Sequence, residues 1–446
     1  MKQKGAAENE YSYASAEAVT KARLLEDRKN VRIAGSSMFF NGVCASSGGV
    51  IVALMQEHVG INYTESGMLL SALSIGQLFS CWLVGFLPAK IGLKQTIWIM
   101  ASGQLLGYAL MTGVTAFSLP ILFACCLLSY FLIGVAKGAT LNVANVMSGK
   151  TTEPAKNLNL EHAAFACGSL AAPVGIALIG KNIPVWWAPL LMLTVGGGLL
   201  YLVFLCAKLP GKEEKAEAHV KRKTCANENA ASETKQLTEA AEQCQKKTQA
   251  ESGYVKEKSR YAFLHSGKFW LLTLLLFCQQ CTEIAVTGWL VTYFKDTGIL
   301  TGMASQMTVS IVWAAMMVGR LFIAFRLHFK NFPFALMIMG FCCTLTYIAL
   351  LTAHGPAAAL LLLGLFGLGI AGIYPTTIAA AGEMLSNESM GVMLPLAAIG
   401  AISMPSLVGA VAERMGIHAG MLVILLSVTG VMVLGGALCL MDKKRD

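Results

Sequence analysis

Apolar runs of about 20 residues recur along the whole chain, and nothing else in the sequence limits its fold so tightly. A run of that length crosses the ~30 Å hydrocarbon core of a bilayer as an α-helix. A helix also satisfies its backbone hydrogen bonds internally where no water can. Twelve such spans are predicted, near residues 31–56, 65–88, 93–115, 119–147, 158–180, 184–207, 269–294, 303–327, 332–353, 357–382, 390–411 and 416–440. Transmembrane β-strands are shorter and alternate apolar with polar residues, which these runs do not. Of 446 residues, 55% are hydrophobic and 13% are charged, about half the charged share of a soluble domain. The chain therefore reads as an all-α integral membrane protein.

Residues 1–30 form a polar arm without the apolar core of a signal peptide, so the amino terminus is expected to stay in the cytoplasm. Twelve spans would return the tail, residues 442–446, to the same side. The positive-inside rule agrees. Arg28, Lys29 and Arg32 precede span 1, Lys90 and Lys94 follow span 2, Lys150 and Lys156 follow span 4, and Arg326 and Lys330 follow span 8. The predicted outer loops, such as QEHVGINYTES and TAFSLP, are short and nearly free of Lys and Arg. The net charge of +9 is thus read as topology and contact with anionic membrane lipid, not as a nucleic-acid footprint. A monomer in a bacterial inner membrane is expected. Most of the 13 cysteines, including Cys44, Cys81, Cys125, Cys126, Cys342 and Cys343, lie in apolar spans and read as small packing residues.

The apolar pattern stops at residues 208–260, which are rich in Ala, Glu, Lys, Gln and Thr and read as a mobile cytoplasmic linker. Cys225 and Cys244 fall there and are expected to be thiols in a reducing cytosol. The linker divides the chain into a six-span bundle at 31–207 and another at 261–441. The halves echo one another in order, about 230–240 residues apart. FFNGVCAS in span 1 resembles LFCQQCTE in span 7, SIGQLFS in span 2 resembles MVGRLFI in span 8, and Gly168 and Pro173 in span 5 are echoed by Gly400 and Pro405 in span 11. Such duplication points to two pseudo-symmetric six-helix bundles.

Taken together, these features resemble the major facilitator superfamily. GFLPAKIGLKQ, between spans 2 and 3, is similar to that family's G-x-L-x-D-R-x-G-R-K/R motif: Gly85, Leu87, Lys90, Gly92 and Lys94 fit it. Ala89 replaces the aspartate, so the charge lock that the motif normally forms at the inner face is not implied. Four further stretches resemble the fucose permease-like branch, the fucose:proton symporters and their glucose-transporting relatives. They are LNLEHAAFACGSLAAP in span 5, Glu283 to Phe294 in span 7, VWAAMMVGRL in span 8 and GIYPTTIA in span 10. The resemblance implies the twelve-helix major facilitator fold and proton-coupled transport of a sugar or related metabolite. Fucose permease uses an aspartate in span 1 and a glutamate in span 4, where this chain carries Asn41 and Lys137. Fucose itself and that proton route are not implied.

Read from the residues alone, the buried charges invite pairing. Lys137 falls in span 4, Glu161 and His162 in the first turns of span 5, Glu283 near the middle of span 7 and Arg320 in the inner half of span 8. An ionised group in hydrocarbon costs several kcal/mol unless it finds a partner or water. A group that gains and loses its charge through a cycle is what a proton-coupled carrier needs. Glu283 is the leading candidate because mid-membrane depth forbids snorkelling to the surface. Glu161 and His162 could couple protons or form a structural or gating pair. Arg320 could anchor an inner gate or contact solute, and Lys137 could neutralise an acid or receive an anion.

Uncharged polar and aromatic groups complete the candidate solute site: Asn41, Asn142, Asn145, Gln279, Gln280, Trp289, Tyr293, Trp313 and Tyr374, with Lys137 and Arg320. Each could instead make an ordinary interhelical hydrogen bond, worth about 0.6 kcal/mol. The chain carries no G-x-x-x-x-G-K-S/T phosphate loop, HExxH or paired CxxC metal site, or G-x-S-x-G elbow, so neither an enzyme nor an ATP-driven pump is expected. No cofactor or metal is expected, and the coupling ion is expected to be a proton, with Na⁺ as the alternative. The expected activity is secondary active transport of a small polar solute, a sugar or related metabolite, by alternating access. The alternatives are a carrier of an organic anion held by Lys137 and Arg320, or a receptor that binds without translocating.

Overall fold

The computed structural model describes residues 2–207 and 262–443 apart from positions 114, 116, 150, 184, 328, 330 and 386. The expected linker at 208–260, with Cys225 and Cys244, lies outside the described residues, as do residues 444–446. Six helices form the first half: α1 Lys2–His58, α2 Tyr63–Ile91, α3 Leu93–Gly113, α4 Leu119–Gly149, α5 Pro154–Asn182 and α6 Ala188–Cys206. A 3₁₀ turn at Ala262–His265 leads into the second half. There α7 is Gly267–Asp296, α8 Met303–Gln306, α9 Thr308–Arg326, α10 Phe332–Leu351, α11 Pro356–Ile370, α12 Ile373–Met384, α13 Asn387–Met415 and α14 Ile417–Lys443. The eighth span is thus α8 with α9, and the tenth is α11 with α12.

Eleven helical stretches among the described residues are long and apolar enough to cross a membrane. Helix α3 is the remaining span, diluted by Lys94, Gln95 and Gln104. Helix α1 runs unbroken from Lys2 through the first span, so residues 2–30 of the polar arm are helical. Local chemistry sets several boundaries. The Asn62 side chain accepts the Glu65 N–H at 2.8 Å while the Asn62 N–H donates to Glu65 Oε2 at 2.9 Å, a reciprocal cap that starts α2. Gly92, at φ 90°, turns the chain from α2 into α3 in one residue, a conformation that favours glycine.

Packing repeats between the halves. In the first, α1 lies on α5, α2 on α4 and α3 on α6; in the second, the equivalent pairs are α7 on α13, α9 on α11 and α10 on α14. The contacts allow close backbone approach only because small residues face each other. A Cβ at Gly76 would sit 2.1 Å from the Phe131 carbonyl oxygen of α4, and one at Gly134 would sit 2.1 Å from the Leu73 carbonyl oxygen of α2. Between the halves α2 packs on α13, α5 on α9 and α1 on α7. The first two exchange under the duplication and the third maps onto itself, so the halves are related by a pseudo-two-fold axis.

Gly134→Leu should force α2 from α4 at a cost of about 1–3 kcal/mol, read as a lower thermal midpoint and loss of monodisperse protein in detergent. Gly175→Ala, whose added Cβ would lie 3.5 Å from Met192 Sδ, should leave both unchanged.

Candidate functional site

The seam between the halves carries a charged centre around Glu283, halfway along α7. Its Oε2 accepts the Gln279 side-chain N–H at 2.9 Å, one helical turn away, and lies 3.9 Å from Arg320 Nη2 on α9. The Glu283 and Arg320 side chains are 14% and 38% exposed, so the pair is partly open. Arg320 is held by an irregularity in the tenth span. Pro375 has no N–H with which to bond the Ala371 carbonyl four residues earlier, and the helix breaks there. Arg320 Nε donates to that freed Ala371 oxygen at 3.3 Å. A backbone group left unpaired in a membrane helix thus gains a partner and aims the guanidinium.

Lys137 reaches this centre from α4. It is 7% exposed, and its amine has no hydrogen-bond or ion-pair partner among the described residues. It lies within electrostatic range of Glu283 in the other half and of Cys44 in its own. Tyr374, at the start of α12, is in range of both Glu283 and Arg320. His162 on α5 is exposed and faces the charge of Arg320 across the seam. Nearby, Trp313 of α9 and Phe165 of α5 meet edge to face, with ring centroids 5.4 Å apart. The buried Trp313 Nε1 has no hydrogen-bond partner, nor has Gln279 Oε1.

The structure brings Lys137, Gln279, Glu283, Trp313, Arg320 and Tyr374 toward one centre and distributes the other candidates elsewhere. Asn41 is fully buried inside the first half, where its Oδ1 accepts from Gln104 Nε2 at 3.2 Å and Thr140 Oγ1 at 3.1 Å. Asn142 donates to the Gly138 carbonyl at 2.9 Å, within its own helix. Asn145 and Gln280 are half-buried, and Asn145 Oδ1 is without a partner. Trp289 is fully buried and donates to the Pro405 carbonyl at 3.2 Å. Tyr293 packs against His418, its hydroxyl 3.4 Å from both the His418 Nδ1 and the Leu351 carbonyl. Glu161, 1% exposed, accepts from Ser148 of α4 and leaves its other oxygen unpaired. Among the described residues no cluster of three or more His, Cys, Asp or Glu side chains could hold a metal.

A second constellation, absent from the sequence-based candidates, joins the halves at the ends of α1, α2, α7 and α13. Tyr63 Oη donates to Asp296 at 2.7 Å, and the Tyr63 backbone N–H, unpaired at the first turn of α2, donates to Glu413 at 2.8 Å. Lys295 pairs with Glu57 at 2.7 Å, and Thr292 donates to Gln56 at 2.9 Å. Ser71 meets both the Ile402 carbonyl and Ser406 Oγ deeper along the same interface. The signal in the sequence was the set of charged residues at helix ends, Glu57 with His58, Lys295 with Asp296 and Glu413 with Arg414. The direct polar contacts between halves gather at this Tyr63 end, while Glu283, Arg320 and His162 lie on the side toward Lys90.

Two six-helix bundles related by a pseudo-two-fold axis, meeting around central charges and sealed at one end, define a membrane transporter. The chain matches the family model of the Major Facilitator Superfamily over residues 34–394 and belongs to that family. Members of that family are transporters of small solutes and not enzymes. The chain is 28% identical over 275 residues to the 4-hydroxybenzoate transporter PcaK of Pseudomonas putida, a match covering 58% of this chain and 57% of that one. Among solved structures it resembles the nucleoside transporter NupG, with TM-score 0.65 and 17% identity over 94% of this chain and 99% of that one. It also resembles a D-xylose-proton symporter, with TM-score 0.69 and 13% identity over 92% and 96% of the two chains. At these identities the structural likenesses establish the fold.

Tyr63→Phe removes one charge-assisted bond from the sealed end, worth about 1.5–3 kcal/mol. Amide hydrogen exchange should quicken around residues 56–66 and 289–296 and stay unchanged at the Lys90 end.

Proposed function

We propose that the protein is a proton-coupled secondary carrier of a small polar organic solute, working by alternating access in a bacterial inner membrane as a monomer. The observation that carries this is Glu283: a carboxylate at mid-membrane depth, on the seam between the halves, partly exposed and shared by Gln279 and Arg320. Its neutralisation weakens its tie to Arg320 and changes what a central crevice can hold. Basic residues at the Lys90 end support reading that end as the cytoplasmic one under the positive-inside rule. The chain in this conformation is then closed outside by the Tyr63 constellation and faces inward.

The four stretches similar to fucose permease-like symporters support a sugar or related metabolite as solute, and proton symport as the mode. The match to the 4-hydroxybenzoate transporter, and a centre where Lys137 and Arg320 face the one carboxylate of Glu283, support the second reading, an organic anion. Glu161 and His162 are assigned a secondary role in proton movement at the inner mouth. Glu161 is the better enclosed of the two. A receptor that binds without translocating lacks a comparable observation in its favour.

Reconstituted in proteoliposomes and offered labelled sugars, nucleosides and small organic acids, the protein should accumulate its solute under an inward proton gradient. Each coupled proton supports up to about tenfold accumulation per pH unit of gradient. Glu283→Gln should abolish that accumulation while leaving counterflow exchange intact. Uptake indifferent to both the gradient and this substitution removes the coupling assignment.

A further inference from the structure

The charged centre is unevenly matched. Arg320 and Lys137 face one carboxylate, Glu283, which already shares its bonded oxygen with Gln279. Lys137 is more than nine-tenths buried without a partner, an arrangement that hydrocarbon tolerates poorly. Trp313 Nε1 is a second buried donor without an acceptor. Seven residues before Arg320 on the same helix, Trp313 meets Phe165 of the opposite half edge to face. Two of the candidate amides are engaged away from this centre, Asn41 with Gln104 and Thr140, and Asn142 with its own helix, while Asn145 Oδ1 and Gln279 Oε1 are without partners.

We propose that the solute is an organic monocarboxylate with a flat apolar body, and that it binds by taking the place of Glu283 beside Arg320 and Lys137 once a proton has neutralised Glu283. This rests on the carrier reading above and names its substrate class and binding order. The proton forms an O–H bond on a Glu283 carboxylate oxygen, and Glu283 gives up its ion pair with Arg320. The solute carboxylate takes over that ion pair and supplies Lys137 with the partner it lacks. Proton and anion together carry no net charge, so the loaded centre has the same charge as the empty one. A bare anion does not bind, because ionised Glu283 competes for the same cations and repels it.

The groups that bear on Glu283 are Lys137 from α4, Arg320 from α9 and Tyr374 from α12. Cys44 of α1 acts on Lys137, and His162 of α5 acts on Arg320. On α13 and α14, Glu413 is engaged with Tyr63, His418 lies against Tyr293 and Asp442 pairs with Lys268, all away from Glu283.

Binding of benzoate, 4-hydroxybenzoate, butyrate and D-xylose to the purified full chain in detergent tests this by calorimetry in two buffers of different ionisation heat. Benzoate and 4-hydroxybenzoate should bind more tightly than butyrate, each taking up one proton, with affinity falling about tenfold per pH unit once Glu283 ionises. Glu283→Gln should bind benzoate with no proton uptake and no dependence on pH. Lys137→Met should lose tenfold or more in benzoate affinity, with its thermal midpoint confirming the fold. Binding of D-xylose but of no carboxylate, or of none of the four, overturns the substrate class. Carboxylate binding without proton uptake overturns the exchange. Neither result touches the carrier reading, which falls separately if uptake ignores the proton gradient.

Discussion

A carboxylate at mid-membrane depth has to be answered by a partner or by water, and the architecture around Glu283 supplies both. Gln279 answers from the same helix, one turn back. Arg320 answers from α9, where the break at the tenth span hands it a backbone acceptor. Lys137 stands across the seam in the opposite half. No single helix could assemble this set. The halves must meet here, and they must leave an opening for the charges to reach water.

The closeness of the helices within each half makes that meeting rigid on either side of the seam. Gly76 and Gly134 let α2 and α4 touch backbone to backbone, and Gly367 allows a less close approach of α11 to α9 in the second half, where a Cβ would sit 2.7 Å from Ala315 Cβ and 2.8 Å from the Val312 carbonyl oxygen. The halves also approach closely, a Cβ at Gly49 or Gly67 falling 2.6 Å from the Gly288 or Pro405 carbonyl oxygen of the other half, but the hydrogen bonds and ion pairs between them are of another kind. They run from side chains at helix ends, such as Tyr63 to Asp296 and Lys295 to Glu57, at sites where water can compete for every partner. Two stiff bodies joined by exchangeable polar contacts can rock without repacking their interiors.

Much of the fold was legible because hydrocarbon permits so few solutions. Run length gave the twelve spans, and the internal echo of Gly168 and Pro173 in Gly400 and Pro405 gave the two bundles. The break in the tenth span was less legible: GIYPTTIA advertises a proline, yet the apolar run passes through it without interruption. Charged residues stood out against an apolar background, so Lys137, Glu283 and Arg320 were visible as candidates. Amides did not separate in the same way. Asn41 satisfies Gln104 and Thr140 inside its own half while Gln279 serves Glu283, and nothing in their immediate sequence distinguishes the two situations. The Tyr63 constellation was hidden for a different reason. Its bonds join residues more than 200 positions apart, and each member alone looks like an ordinary polar residue at a helix end.

The missing amide hydrogen of Pro375 reaches further than the kink it leaves in the tenth span. Because Arg320 leans on the carbonyl that the proline exposes, the guanidinium is moored to a joint between two half-helices rather than to a straight rod. Tilting the segment beyond that joint would drag the mooring point, and with it the cation. A lever of this sort would let a shift at the Lys90 end be felt as a change in electric field at the heart of the protein.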